Sequence, residues 1–116
     1  MATVAELCTK NLTEVSALIK NKEVSPVALT QAMLDRIAAL DGKLYSYLTV
    51  TSDLALQQAR TAEQEIAKGI YRGPLHGVPI AVKDLCFTKG IRTTCSSSIL
   101  SDWKPDHDAT VVERLA

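Results

Sequence analysis

Gly73-Pro-Leu-His-Gly-Val-Pro-Ile-Ala-Val-Lys-Asp84 is the stretch whose reading decides the fold. Gly73-Pro74 signals a turn, and Val78–Asp84 after it has the composition of a buried strand. Pro79 has no N–H to give to a ladder, so it belongs at the start of that strand or on a sheet edge. Side chains alternate along a strand. Pro79, Ala81 and Lys83 therefore share one face, and Ile80, Val82 and Asp84 share the other. Asp84 then points away from Lys83, and the small neighbours on the lysine's face leave room for another group to approach. A lysine leaving an apolar strand is either a surface side chain with a packed stem or a functional amine. The residues alone leave both readings open.

Upstream of this stretch the periodicity is helical. Ala55, Ala59, Ala62 and Ile66 fall at i, i+4, i+7 and i+11, which predicts a helix from Ser52-Asp53 to a stop at Gly69. Before it, Leu44–Val50 is rich in aromatic and β-branched residues and reads as a strand. Ser25-Pro26 is a helix start, a capping serine with proline at the first helical position. Leu29, Met33, Ile37 and Leu40 give that helix its apolar stripe, and Asp41-Gly42 is the expected end. Asn11-Leu-Thr-Glu14 has the form of a capping box and opens a shorter helix to about Asn21. Two leading helices followed by strand, helix, strand predict an α/β fold with a right-handed βαβ unit.

Downstream, Ile91–Cys95 is a candidate for a further short strand. Asp108 is a good helix cap, and Val111, Val112 and Leu115 begin a new apolar stripe. The stripe is unfinished at Ala116, and two or three strands are few for a sheet built of βαβ units. The expectation is that residues 1–116 are the N-terminal portion of one larger domain. A small domain with a frayed last turn is the alternative.

Composition narrows the function. Hydrophobic residues make up 47% of the 116, which suits a globular core. Thirteen Lys and Arg balance thirteen Asp and Glu, so neither a nucleic-acid surface nor an anionic-membrane surface is supported. The charge-free run Gly73–Val82 is too short, and too broken by proline and glycine, to span a bilayer. Met1-Ala-Thr-Val-Ala-Glu-Leu-Cys8 has an early acid and no basic region, unlike a signal peptide. Cys8, Cys86 and Cys95 are an odd number without metal spacing, which fits unpaired thiols in a reducing, cytoplasmic setting.

Other constellations are weaker than Lys83. Cys86 or Cys95 with His76 or His107 would make a thiol–imidazole pair, but no spacing requires it. Ser96-Ser97-Ser98 reads as a loop, and His76 reads as a structural hydrogen-bonding residue. Asp102, Asp106, His107 and Asp108 gather near Trp103, yet match no metal site and include the expected cap. Gly73, Gly77 and Gly90 do not form a dinucleotide-binding fingerprint.

The Gly73–Asp84 stretch resembles the start of the amidase-signature family core. Thr88-Lys-Gly-Ile-Arg-Thr-Thr-Cys95, Asp106-His-Asp-Ala-Thr-Val-Val-Glu-Arg-Leu115 and the opening helices around Ser25-Pro26 match as well, so the resemblance covers nearly the whole chain. It implies the N-terminal part of an α/β/α fold with a central mixed sheet. It also implies a triad of lysine, a serine with a cis peptide bond, and a nucleophilic serine. The lysine maps to Lys83. Both serines map beyond Ala116, and Ser96, Ser97 and Ser98 do not match their motif. No cofactor and no metal are implied.

The implied chemistry explains the residue type. A serine hydroxyl attacks an amide only when a base takes its proton. A lysine amine accepts a proton only when neutral, and bringing its pKa from about 10.4 to about 7 costs roughly 4.6 kcal/mol. Desolvation in a closed, apolar site supplies such a shift. The resemblance thus implies hydrolysis of a small carboxamide through an acyl-enzyme, with ammonia or an amine released. By itself the chain should be inactive, needing the remainder of the same polypeptide. A second reading is the glutaminase component (the A subunit) of a tRNA-dependent amidotransferase, the one case in which nucleic acid enters. Thr88–Cys95 and Asp108–Leu115 look like that component. Lys83-Asp84-Leu85 looks more like the general amidases, because the amidotransferase component usually has asparagine after the aspartate. The third reading is a non-catalytic assembly module, and a homodimer stays open.

Overall fold

In the computed structural model, residues 4–116 are described, with the side chains of residues 4 and 5 left aside. The chain divides into two compact units, one ending at Pro79 and the other running Ile80–Ala116.

The first unit is helical: α1 (Val4–Leu7), α2 (Leu12–Lys20), α3 (Pro26–Leu44) and α4 (Ser52–Ala67). Local signals set the starts as expected. The Asn11 side chain accepts from the Glu14 N–H at 3.0 Å, and the Glu14 carboxylate accepts from the Asn11 N–H at 2.9 Å, a complete capping box. Ser25 Oγ accepts from the Ala28 N–H at 3.1 Å, with Pro26 behind it at the first helical position. The same hydroxyl donates to Glu63 on α4. One capping hydroxyl therefore both starts α3 and joins it to α4.

The core forms where the stripes meet. Leu7, Val15, Ile19, Leu29 and Ile66 make a buried cluster, with Leu18, Val24, Met33, Tyr71 and Val78 packed against it. On α3 the predicted stripe is graded. Leu29 is fully buried, Met33 and Ile37 are half-buried, and Leu40 is exposed. On α4, Ala59, Ala62 and Ile66 are buried as the spacing predicts. Gly69, at φ +85°, follows the α4 cap in a conformation that costs glycine little.

The expectations for the end of α3 and for the strands are corrected. Asp41-Gly42 does not end α3, which continues to Leu44 and closes on a left-handed Tyr45. The Asp41 carboxylate accepts the N–H groups of Ser46 and Tyr47 just past the helix, so it satisfies donors beyond one further turn rather than stopping the turn. Leu44–Val50 is not a strand; Leu44, Tyr45, Tyr47, Leu48 and Val50 are all exposed. Val78–Asp84 and Ile91–Cys95 are not strands either, and the described residues hold no ladder, hence no βαβ unit. A strand is stable only against a neighbour that takes its backbone hydrogen bonds. The expected α/β architecture is thus not shown among the described residues, which form helices and turns.

The second unit is held by turns. Phe87 meets Trp103 edge to face at 4.7 Å between centroids and His107 at 5.5 Å. Backbone hydrogen bonds tie the 87–93 segment to the 103–109 segment: Gly90 N–H to Pro105 O, Thr93 N–H to Trp103 O and Ala109 N–H to Phe87 O. Thr93 and Pro105 are fully buried between these segments. A 3₁₀ turn at Ser98–Leu100 is capped by Ser97 Oγ, and α5 (Thr110–Leu115) closes the chain. Asp108 does not cap α5; Ala109 holds that position without a side-chain bond. The Asp108 carboxylate instead accepts from the Lys89 N–H at 2.6 Å.

Candidate functional site

Gly73 opens a turn as expected, with the His76 N–H donating to the Gly73 carbonyl and the Val78 N–H to the Leu75 carbonyl. His76 has the structural role its position suggested. Its Nδ1 accepts from the Arg72 N–H at 3.2 Å, which leaves Nε2 as the donor 3.0 Å from the Glu65 carboxylate. Arg72 grips the same carboxylate through Nε at 2.9 Å and a second nitrogen at 2.5 Å. The Arg72 hydrogen bonds are the main reason that the Glu65 carboxyl sits below its usual range, with His76 adding to them. This cluster ties the turn to α4.

Lys83 lies in the second unit on an exposed stretch outside any helix or strand. Ile80 and Val82 beside it are 45% and 47% exposed, so the predicted buried strand is an apolar segment open to solvent. The Lys83 carbonyl accepts from the Cys86 N–H at 2.9 Å, which closes a turn immediately after it. Among the described residues its amine has no hydrogen bond or ion pair, and no closed apolar surround is built over it.

Asp84 sits inside that turn, not on a strand face opposite Lys83, and its carboxylate is bound elsewhere. Its Oδ1 accepts from the Thr94 N–H at 2.7 Å, and its Oδ2 accepts from the Thr94 hydroxyl. The Asp84 carbonyl accepts from the Cys95 N–H at 3.0 Å. The Thr94 hydroxyl first, and then the Thr94 N–H, hold the Asp84 carboxyl below the usual carboxylate range, with the Ser96 N–H and the Arg92 charge adding to them. Cys95 and Ser96 follow in left-handed conformations, at φ +51° and +56°. Sequence reasoning missed this contact. The partners are ten residues apart, and no spacing rule links an aspartate in a turn to a threonine in a loop.

The weaker constellations resolve individually. Cys8, Cys86 and Cys95 are free thiols, half-buried; Cys8 Sγ donates weakly to the Ala32 carbonyl. His107 bonds Asp106 at 2.7 Å, which lowers the Asp106 carboxyl, and it packs on Phe87. Asp108 is taken by Lys89, as described above. No helix among the described residues is long and apolar enough to cross a membrane.

Comparison with known proteins brings the same segments forward. The family model described as Amidase matches residues 28–116, a span that contains Lys83 and the Asp84–Thr94 contact. The A subunit of glutamyl-tRNA(Gln) amidotransferase from Moorella thermoacetica is 51% identical over 102 residues, covering 88% of this chain and 21% of that protein. The protein of the same name from Methylococcus capsulatus is 50% identical over 106 residues, 91% of this chain and 22% of its own length. A Mycobacterium tuberculosis protein that carries the name amidase AmiD is 47% identical over 104 residues, 90% of this chain and 22% of that protein. The chain spans about a fifth of the length of the curated relatives it matches.

Proposed function

The chain belongs to the amidase family, and on that premise we propose that it contributes Lys83, the proton acceptor, to an enzyme that hydrolyses a carboxamide carbon–nitrogen bond. The observation that carries this reading is an unpaired lysine amine, in solvent at the end of an apolar segment, inside the family match. Two serines supplied by the rest of the polypeptide complete the triad. The neutral Lys83 amine takes a proton through the bridging serine, and the nucleophilic serine attacks the amide carbonyl. Backbone N–H groups outside this chain stabilise the oxyanion. The C–N bond breaks, the leaving nitrogen is protonated and departs as ammonia or an amine, and water releases the acid from the acyl-enzyme. The chain by itself holds one of three triad side chains and hydrolyses no amide. Covering the exposed Ile80–Lys83 segment with the remainder of the domain supplies the dry surround that a proton-accepting lysine needs.

Identities near 50% to proteins named as the A subunit of glutamyl-tRNA(Gln) amidotransferase favour a second reading. There the carboxamide is glutamine and the ammonia passes to a charged tRNA in a partner complex. The hydrolytic step and the role of Lys83 are the same in both. Leu85 after Asp84, where the amidotransferase component usually has asparagine, keeps the stand-alone amidase first.

The test uses the full-length protein. Ammonia release from glutamine and from propionamide is measured for wild type and Lys83→Ala, with a serine-directed covalent inhibitor as control. The expected result is release that the inhibitor blocks and that Lys83→Ala abolishes. Release that survives the substitution would overturn the reading. Glutamine turnover only in the presence of a co-purifying tRNA-binding partner would decide for the second form.

A further inference from the structure

Resting on the reading of Lys83 as proton acceptor, we propose that Asp84 is the positioning residue for Lys83 and acts through its clamp on Thr94. Hydrogen bonds that locate the lysine's backbone lie on its C-terminal side. The Lys83 carbonyl closes a turn on the Cys86 N–H, and Asp84, inside that turn, makes three bonds to Thr94 and Cys95. On the other side, Ile80, Ala81 and Val82 are exposed, and among the described residues no N–H from Ile80 to Lys83 is bonded. The lysine is thus held from one end.

The far end of the clamp is firm. Thr94 is buried, and its neighbour Thr93 is 2% exposed and donates its N–H to the Trp103 carbonyl at 3.0 Å. Thr94 Oγ1 also accepts from the Ser96 N–H at 3.3 Å, so its hydroxyl hydrogen is directed at Asp84. A base works only within hydrogen-bond reach of the proton it takes, and misplacing a reacting group by about 1 Å costs about 10²-fold in rate. The anchoring aspartate next to Lys83 controls that placement without touching the reacting atoms.

The experiment compares Asp84→Ala, Asp84→Asn, Thr94→Val, Thr94→Ser and Lys83→Ala in the full-length protein. It reads kcat and KM for ammonia release from glutamine and propionamide, with circular dichroism for folding. Asp84→Ala is expected to lower kcat by about 10²-fold with KM changed by less than about twofold, the signature of a lost transition-state contribution. Thr94→Val is expected to lower kcat by about 10-fold and Thr94→Ser to restore it, because serine returns the hydroxyl. Asp84→Asn keeps an acceptor for the Thr94 N–H and reverses the second bond, its amide N–H donating to Thr94 Oγ1, and is expected to retain most of kcat. Should Asp84→Ala fail to fold, the Thr94 pair decides: wild-type kcat in Thr94→Val overturns the proposal. A folded Asp84→Ala with near wild-type kcat beside an inactive Lys83→Ala overturns it while leaving the role of Lys83 intact. A folded Asp84→Asn as slow as Asp84→Ala overturns it in favour of charge over placement. An active Lys83→Ala overturns the role of Lys83 itself, and the proposal with it.

Discussion

A Cβ atom placed on Gly77 would lie 2.8 Å from Cγ of Pro26 and 3.1 Å from its Cβ. The turn that leads to the Lys83 segment passes so close to the first residue of α3 that only glycine fits. Gly77 also stands at φ +81°, where an L side chain is strained. The proline ring is stiff and buried, so it cannot swing aside. Gly77→Ala is expected to destabilise the protein by about 1–3 kcal/mol through backbone strain and overpacking together. Urea unfolding of the two proteins measures it, and an unchanged midpoint would show that the close approach is relieved at no cost.

The Glu65 cluster gives the pH dependence of the first unit. Arg72, first, and then His76 hold the Glu65 carboxyl below its usual value. A carboxyl whose pKa is lowered by folding adds stability above its unfolded pKa, and that stability disappears as pH falls through the folded value. Wild type is therefore expected to melt above Glu65→Gln at neutral pH. The two curves should converge only as pH falls below the ordinary carboxylate range. A gap in melting temperature that persists in strong acid would mean that Glu65 acts through packing rather than charge.

Lys83→Arg separates base from charge in the full-length enzyme. Arginine keeps the positive charge and most of the length, but with a pKa above about 12 it cannot become neutral near physiological pH. Both Lys83→Arg and Lys83→Ala are expected to lose nearly all amide hydrolysis while folding normally by circular dichroism. Substantial activity in arginine where alanine has none would make Lys83 an electrostatic anchor and would rule out proton acceptance.

Cys86 and Cys95 lie beside the Lys83 motif as free, half-buried thiols. Their contributions to the turn and clamp are main-chain: the Cys86 N–H to Lys83 O and the Cys95 N–H to Asp84 O. Serine keeps both bonds. The double change Cys86→Ser with Cys95→Ser is expected to leave kcat within about threefold and to cost at most about 1–2 kcal/mol of packing stability. A folded double variant without turnover would point to a thiol nucleophile.

Sequence alone determined the starts of α2 and α3 and the buried face of α4, and it singled out Lys83 as a candidate. Asn11 with Glu14, Ser25 with Pro26, and the Ala59, Ala62, Ile66 spacing each act within one or two turns of chain, and each is realised in the structure. Capping and stripe formation depend on neighbours three to seven residues away, so the local sequence contains the cause. Only the tertiary structure decided the rest. Leu44–Val50 and Ile80–Val82 carry strand-like residues, yet a strand exists only where another takes its hydrogen bonds, and both runs are exposed. Asp108 has the local form of a cap, but its carboxylate is taken by the Lys89 N–H nineteen residues away. Asp84 read as sharing a strand face with Ile80 and Val82, opposite Lys83, and is instead bound to Thr94, ten residues on. A carboxylate accepts from whichever donor the packed chain delivers, and that delivery is a property of the fold, with no periodicity in the sequence to announce it.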